Sequence, residues 1–142
     1  MIGVEIDMIV SDSLKALELY EKIFEVQRIE ATDLEKGLNE AVFTIYGTRF
    51  HLLDENPAYG MIAAKPEETK AIWFNIIVPD IAETFKKATD AGCTVIQPMT
   101  EMEEMGVINA MFSDAFGTVW MLHQIVKEVS YEDRVKAMEN MK

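Results

Sequence analysis

The residues of this 142-residue chain best suited to acid–base chemistry are two neighbouring carboxylates and its only two histidines. Glu5 and Asp7 lie two positions apart in a segment where apolar residues alternate with them. For Glu5 and Asp7 two interpretations are open. In an apolar cavity the pKa of a carboxylate rises and the group can act as a general base, whereas on a solvated strand face the carboxylates have no chemical role. His51 and His123 are each either a hydrogen-bonded interior residue or a site residue. The residue types favour proton transfer and leave these alternatives open.

Other catalytic motifs are missing from the sequence. It contains no Gly-rich phosphate loop and no nucleophile elbow. The single cysteine, Cys93, follows a predicted helix C-terminus and lacks the surroundings that lower a thiol pKa, so we interpret it as inert. One cysteine forms no internal disulfide, which is typical of a reducing cytoplasm.

The charge balance excludes several classes of partner. The net charge is −12 and the pI is about 4.5. Nucleic acids and anionic membrane surfaces attract basic proteins, so neither is an expected partner. The first residues carry two acids and no basic segment, which argues against a signal peptide. No apolar run approaches the roughly 20 residues that cross a bilayer. We expect a cytoplasmic protein.

An internal repeat indicates which elements position the candidate residues. The segment Gly47–Leu53 recurs 70 positions later as Gly117–His123 (117 − 47 = 70), with Gly-Thr first in each copy. An aromatic residue precedes each copy, Tyr46 or Phe116. Glycine before an apolar run marks a tight turn into a strand. The recurrence predicts a duplicated module.

Hydrophobic periodicity gives both halves the order strand, helix, strand, strand, strand. In the first half the predicted elements are a strand Val4–Val10, a helix Ser13–Phe24 with capping residues at Ser11–Ser13, and strands Val26–Ala31, Ala41–Tyr46 and Thr48–Asp54. In the second half they are a strand Ala71–Val78, a helix from the capping box Asp80–Glu83 to Ala91–Gly92, strands Thr94–Gln97, Val107–Phe112 and Thr118–Ile125, and an acidic, Met-rich loop Met99–Gly106.

These elements predict an α+β protein of one domain, residues 1–142. It would contain βαβββ modules at 1–54 and 71–126, a linker loop at 55–70, and a C-terminal helix at about 130–141 that begins with the capping box Ser130–Asp133. The loop is either a plain linker or a segment that flanks a cavity with Tyr59 and Met61. Each sheet is covered by its helix on one face, so two sheets could bury their other faces together. The expected result is a cupped, incompletely closed eight-stranded barrel with a central cavity.

The strand faces opposite the helices would line this cavity. They carry Glu5, Asp7, His51, Trp73, Asn75, Met121 and His123. Phe43, Met99 and Met111 could join Trp73 and Met121 in a pocket for flat apolar ligands, or they could be ordinary core.

The repeated modules resemble the vicinal oxygen chelate superfamily of glyoxalases, bleomycin-resistance proteins and extradiol dioxygenases. Val10-Ser11-Asp12 before a helix with Tyr20 and Phe24 resembles its first-module signature. The segments Gly47–Pro57 and Asp114–Trp120 resemble more narrowly the PhnB-like, demethylubiquinone-methyltransferase-like branch, although Ala115 stands where that branch usually has proline. The resemblance spans about residues 3–125 and is specific for fold rather than for chemistry.

The resemblance also implies four positions that chelate a divalent ion in the metal-dependent members. They fall at Glu5, His51, Trp73 and Met121 in this sequence. Trp73 is no ligand, and a thioether does not suit the hard or borderline ions these enzymes use. We therefore predict no metal and no cofactor. If a metal is bound, the substitute set would be Glu5, His51 and His123, because three ligands with an open position suit catalytic zinc.

Three functions follow from these expectations. The first is metal-free binding of a small, partly aromatic organic molecule, either sequestered or transformed by Glu5, Asp7 or His51. The second is a metal-dependent lyase or dioxygenase with a non-standard ligand set. The third is a non-catalytic oligomeric interaction module. A homodimer is expected, because Tyr131, Val135 and Met138 form an apolar stripe that must cover its own sheet or a neighbour's.

Overall fold

The fold was analysed in a computed structural model that describes residues 2–68 and 70–141. The described chain forms two compact units. The first contains residues 2–68 with Asp114–Thr118, and the second contains residues 70–113 and 119–141. Each unit holds one four-stranded sheet and one copy of the predicted element order.

The first unit follows the predicted order closely. Its elements are β1 (Ile6–Val10), α1 (Ser13–Ile23), β2 (Val26–Ala31), β3 (Glu40–Ile45) and β4 (Thr48–Asp54). The strand order is β1-β4-β3-β2, with β1 parallel to β4 and the other pairs antiparallel. The Asp12 carboxylate accepts a hydrogen bond from the Lys15 N–H, so the predicted N-cap is confirmed.

The second unit has the same topology. Its elements are β5 (Phe74–Ile77), α2 (Ile81–Asp90), β6 (Thr94–Met102), β7 (Val107–Ser113), β8 (Val119–Ile125) and α3 (Tyr131–Glu139). The strand order is β5-β8-β7-β6, with β5 parallel to β8. The predicted N-caps Asp80 and Ser130 are confirmed, since their side chains accept from the N–H groups of Glu83 and Asp133. The duplicated βαβββ order is thereby confirmed.

In each unit the helix packs on one face of the sheet. Tyr20 of α1 contacts Phe43, which stacks on Phe50 with ring centroids 6.0 Å apart. In the second unit Phe74 packs against Trp120, which is fully buried. Burying such side chains contributes roughly 2–3 kcal/mol each relative to exposure. Because strand side chains alternate, the residues between these core positions occupy the other face of each sheet, here called the open face.

Two segments predicted as loops are partly ordered in the structure. The acidic loop predicted at Met99–Gly106 is mostly strand, because β6 runs to Met102 and is followed by a 3₁₀ turn at Glu103–Met105. β6 is an edge strand with register shifts around Gln97, where Pro98 needs no ladder partner. The linker is partly ordered by a 3₁₀ turn at Pro57–Tyr59.

The C-terminal helix is present, but Tyr131 and Met138 of its predicted apolar stripe are not covered by their own unit. The buried residue of α3 is Ala137, while Tyr131 is 70% exposed and Met138 50% exposed. The helix is short and mostly charged, and Ala137 is the residue that it buries against the rest of the second unit. In the described residues no helix combines the length and the apolar character needed to span a membrane.

Candidate functional site

The structure brings three of the sequence-predicted site residues together on the open face of the first sheet. Asp7 of β1 is the register partner of His51 on β4, and Glu5 lies just before β1. One donor atom from each of Glu5, Asp7 and His51 lies within 4.8 Å of the others. Within residues 2–68 and 70–141 this is the single group of three or more such donors. We call it the Glu5–Asp7–His51 cluster.

Arg49 and His51 hold the Glu5 carboxylate from both oxygens. Arg49 Nε donates to Glu5 Oε2 at 2.6 Å, and His51 Nδ1 lies 3.0 Å from Glu5 Oε1. Arg49 and His51 are two positions apart on β4, so both face the same side of the sheet. All three side chains are largely buried, with 19–28% of each exposed. Glu5 is therefore a fixed group.

This arrangement separates the pKa values of the two carboxyl groups. The Arg49 guanidinium, followed by hydrogen bonds with Asp7 and His51, lowers the pKa of Glu5 to about 2. The pKa of Asp7 is raised above 3.8. The largest cause is the hydrogen bond that a protonated Asp7 shares with Glu5, and partial burial and the Glu5 charge raise the pKa further. The Asp7 side chain is 57% exposed, so it is the member of the pair that a ligand can reach.

His51 lies between carboxylates at both ring nitrogens. Asp7 Oδ1 is 3.8 Å from Nδ1, and Glu40 Oε2 is 3.6 Å from Nε2. Nε2 is buried and has no hydrogen-bond partner among the described residues. The His51 ring therefore contacts Glu5 through Nδ1, while Nε2 is enclosed by the protein.

The other predicted site residues belong to the second unit. Asn75 and Met121 are register partners on the open face of its sheet, and His123 pairs with Ile77 and Asn109 on the same face. His123 Nδ1 is buried without a hydrogen-bond partner in the described chain. Trp73 precedes β5, which is shorter than predicted, and is half exposed.

The prediction that Phe43 lines the apolar pocket is wrong. Phe43 is fully buried against α1 through Tyr20, so it is part of the helix-facing core and does not line the open face. Its neighbour Val42 is the β3 residue that pairs with His51. The prediction failed because Ala41-Val42-Phe43 is an uninterrupted buried apolar run, which hides the alternation.

The donor set does not fit the ion that the family's metal-dependent members hold. Both Glu5 oxygens are engaged, and a divalent cation would have to displace the Arg49 guanidinium or lie beside its positive charge. The resemblance implies two further ligand positions, at Trp73, whose indole offers no metal-binding atom, and at Met121, which is a thioether. His123, predicted as a substitute ligand, is not in the cluster; Asp7 is.

Sequence reasoning missed two residues of this site. Arg49 stands in the repeated segment two positions before His51, so strand alternation alone could have placed it on the same face. Glu40 begins β3, and its approach to His51 depends on the β3–β4 register, in which Val42 opposes His51. The two-residue turn Tyr46-Gly47, with Ile45 opposite Thr48, fixes that register, so the turn in the sequence could have placed Glu40 near His51.

Comparisons with known proteins agree with this architecture. The family model described as "Glyoxalase/Bleomycin resistance protein/Dioxygenase superfamily" matches residues 4–122. The "Uncharacterized protein Rv0887c" of Mycobacterium tuberculosis (strain ATCC 25618 / H37Rv) is 28% identical over 140 residues, which cover 94% of this chain and 80% of that protein. A relative from Mycobacterium bovis, "Uncharacterized protein Mb0911c", is also 28% identical, with 90% of its length covered.

Solved structures share the fold. A mutant of the fosfomycin resistance protein FosX from Listeria monocytogenes, complexed with Mn(II) and 1S,2S-dihydroxypropylphosphonic acid, superposes with a TM-score of 0.69 at 19% identity, covering 97% of this chain and 99% of that one. TioX from Micromonospora sp. ML1 superposes with a TM-score of 0.64 at 15% identity, covering 91% and 100%. At these identities the likeness concerns the fold.

Proposed function

Since the chain belongs to the glyoxalase/bleomycin resistance protein/dioxygenase superfamily, we propose that it binds a small organic molecule on the open face of the first sheet and exchanges a proton with it through Asp7. The observation that carries this proposal is the pair of carboxyl groups with pKa values displaced in opposite directions. Such a pair assigns one group to proton transfer and the other to a constant charge.

The roles follow from exposure and contacts. Glu5 stays ionised because Arg49 and His51 hold it, and its charge makes Asp7 a stronger base. Asp7 is the exposed member and contacts the ligand, so it is the proposed catalytic residue. Glu5, Arg49 and His51 are positioning residues. The reaction class is proton abstraction from, or return to, a carbon or oxygen next to a carbonyl group.

We propose that this reaction proceeds without the family's metal. The support is the engagement of both Glu5 oxygens and the lack of suitable donors at Trp73 and Met121. Trp73, Asn75, Met121 and His123 remain proposed ligand-binding residues of the second unit.

Deuterium exchange tests the proton transfer even while the physiological substrate is unidentified. The protein is incubated in D₂O with a panel of small 2-oxo acids, hydroxyketones and aromatic ketones, and loss of the α-proton signal is followed by ¹H NMR. We expect protein-dependent exchange of at least one compound, with Asp7→Asn slowing it by at least about 100-fold.

A matched variant controls for charge. Asp33→Asn removes an exposed carboxylate outside the site and should leave the exchange rate unchanged. Exchange that is equally fast with Asp7→Asn would refute the role of Asp7. A panel with no exchange above the protein-free rate would leave sequestration as the function, and the same spectra report it as line broadening of bound compounds.

A second candidate is supported by the proximity of the donor atoms in the Glu5–Asp7–His51 cluster. Under this alternative the chain is a metal-dependent lyase or dioxygenase with a non-standard ligand set. Metal analysis of protein purified without chelator decides between the two. Stoichiometric metal that Asp7→Asn and His51→Gln remove would favour this candidate, and substoichiometric metal favours the metal-free proposal.

Finer assignments are also proposals. Membership of the PhnB-like branch is supported by the segments Gly47–Pro57 and Asp114–Trp120. A cytoplasmic location is supported by the single cysteine. A homodimer is supported by the exposed Tyr131 and Met138 of α3. Deletion of residues 129–142 should convert the dimer to a monomer in light scattering, and an unchanged mass would refute a dimer built by this helix.

A further inference from the structure

Arg49 has hydrogen-bonding capacity that its contact with Glu5 leaves unused. Its Nε donates to Glu5 Oε2 at 2.6 Å, and this is the single hydrogen bond of the guanidinium within the described residues. A guanidinium carries five N–H donors. In the described chain the enclosed side-chain atoms without a partner are His51 Nε2 and His123 Nδ1, so the two Nη groups of Arg49 reach solvent. These Nη groups are therefore free to donate to a ligand.

Thr44 adds a second unused donor beside Arg49. It is the register partner of Arg49 on β3, so both side chains lie on the open face of the first sheet. Residues directly opposite each other in antiparallel strands have Cβ atoms about 4.5–5.5 Å apart. Thr44 is half-buried, and its hydroxyl has no hydrogen-bond partner in the part of the chain that the structure describes. Arg49 and Thr44 can therefore donate to one ligand oxygen together.

Asp7 and Arg49 lie close enough to act on one small molecule. Arg49 donates to the Glu5 carboxylate, and a protonated Asp7 shares a hydrogen bond with the same group. A molecule that lies over Glu5 therefore contacts both residues. In a carbonyl compound the acidic hydrogen and the carbonyl oxygen are on adjacent carbon atoms, so Asp7 can face the hydrogen while Arg49 faces the oxygen.

The charges around His51 disfavour an anionic substrate. His51 Nδ1 lies 3.0 Å from Glu5 Oε1 and 3.8 Å from Asp7 Oδ1, and Nε2 lies 3.6 Å from Glu40 Oε2. Three carboxylates thus surround one ring, and the Arg49 guanidinium is already paired with Glu5. A carboxylate or phosphate on the substrate would add a further negative charge at short range, which is unfavourable. An uncharged carbonyl compound adds none, because proton transfer to Asp7 moves the existing charge onto the carbonyl oxygen.

We propose that the Nη groups of Arg49 and the hydroxyl of Thr44 stabilise the enolate that forms when Asp7 takes an α-proton, and that the substrate is an uncharged carbonyl compound. This inference rests on the proposed function. The C–H bond breaks and its proton goes to an Asp7 carboxylate oxygen. The electron pair of that bond forms the C=C bond of the enolate, and the carbonyl π pair moves onto oxygen. Donors aimed at a developing oxyanion supply the electrophilic assistance that a metal ion gives elsewhere.

The probe is 4-nitrophenolate, which has a negative oxygen on an sp² carbon, as an enolate does. Asp7→Asn imitates the protonated Asp7 that faces the enolate, since its amide is uncharged and can donate. The probe is titrated into ¹⁵N-labelled full-length wild type and Asp7→Asn, and amide chemical shifts are followed. We expect Asp7→Asn to bind it at least about tenfold more tightly than the wild type, because one facing carboxylate is removed. The largest shifts should include the amides of Thr44 and Arg49.

Two further substitutions in the Asp7→Asn background locate the site. Thr44→Val keeps the side-chain shape, removes one hydrogen bond to a charged oxygen, and should weaken the probe by about tenfold. Arg49→Lys should weaken it similarly, because an ammonium group lacks the guanidinium fork that holds Glu5 and the ligand together. Thr48→Val is the matched control, since Thr48 lies on the other face of β4, and it should leave the affinity unchanged. Equal affinities of wild type and Asp7→Asn, or an affinity unaffected by Thr44→Val, would overturn the enolate site.

Deuterium exchange tests the substrate class with pyruvamide and pyruvate, which have the same size and differ by one charge. With each rate divided by its protein-free rate, pyruvamide should be accelerated at least about tenfold more than pyruvate. A preference for pyruvate would overturn the uncharged substrate. Thr44→Val should slow the exchange by at least about tenfold.

The failures of the two proposals are distinguishable. Exchange that depends on Asp7 but is unchanged by Thr44→Val would refute the enolate site alone. Thr44-dependent binding of 4-nitrophenolate without exchange of any compound would refute proton transfer by Asp7 and support the oxyanion-binding site.

Discussion

Asp54, the last residue of β4, is a buried carboxylate whose two oxygens accept four hydrogen bonds. Its Oδ1 accepts from the N–H and the hydroxyl of Ser13, both at 2.7 Å. Its Oδ2 accepts from the N–H groups of Gly37 and Asn39, at 2.9 and 3.0 Å. One carboxylate that is 3% exposed thus joins the start of α1 to the loop before β3.

Asp54→Asn should destabilise the protein strongly although it changes shape little. An amide can accept from Ser13, but its NH₂ group would then face the N–H groups of Gly37 and Asn39. Leaving two such donors without an acceptor costs roughly 2–3 kcal/mol, since one is buried and the other reaches some water. For a chain of this length the melting temperature should fall by about 8–10 °C.

The repeat supplies a matched control. Gln124 occupies the position equivalent to Asp54 (54 + 70 = 124), and its Oε1 accepts one hydrogen bond, from Ile81 N at 2.9 Å. Gln124→Ala should cost about 1 kcal/mol and about 3 °C. Differential scanning calorimetry measures both variants. A fall of under about 2 °C for Asp54→Asn, or equal falls for the two variants, would refute the reasoning.

Acid dependence provides an independent check. Burial pushes the pKa of Asp54 upward, but the hydrogen bonds from Ser13, Gly37 and Asn39 outweigh it and hold the pKa below 3.8. A carboxyl group with a depressed pKa stabilises the fold above its unfolded pKa and loses that contribution as the pH falls. The stability gap between the wild type and Asp54→Asn should therefore be full at neutral pH and narrow below about pH 4.

Three further substitutions have definite expected outcomes. Tyr20→Phe removes a 2.6 Å hydrogen bond to a buried carboxylate and should cost about 1.5–3 kcal/mol in urea unfolding. Arg49→Gln should raise the pKa of Glu5 from about 2 toward 4.5, as read from its carboxyl ¹³C shift, and an unchanged value would contradict the role given to the guanidinium. Gly106→Ala should destabilise by about 1–3 kcal/mol in urea unfolding, because φ is +70° and the new methyl group meets the backbone carbonyl of Lys127.

The fold was predictable because its signals are local. The N-caps at Asp12 and Asp80, the left-handed glycines before β4 and β8, and the helical periodicity of α1 all act within a few residues. Because the same pattern occurs in both halves of the chain, the prediction for each half supported the prediction for the other. Where the prediction failed, the decisive contact was distant in sequence: β6 continues past Pro98 because it pairs with β7, which no pattern within residues 94–102 reveals.

The site was predictable only in part, for the same reason. Glu5, Asp7 and His51 share a face by alternation, which sequence can show. The hydrogen bond from Tyr20 to Asp114 joins residues 94 positions apart within the first unit. A tyrosine within a helical apolar stripe gives no indication of such a partner.

The two repeats are similar on the helix-facing side of their sheets and differ on the open side. On the helix-facing side, Phe50 and Leu52 correspond to Trp120 and Leu122, because both sheets must pack a helix. On the open side, Arg49 and His51 correspond to Val119 and Met121. This concentrates the ionisable groups of β4 on the open face of the first sheet, which is where proton transfer is proposed. Val119 and Met121 carry no ionisable group at the corresponding positions of the second sheet, so proton transfer is not proposed there.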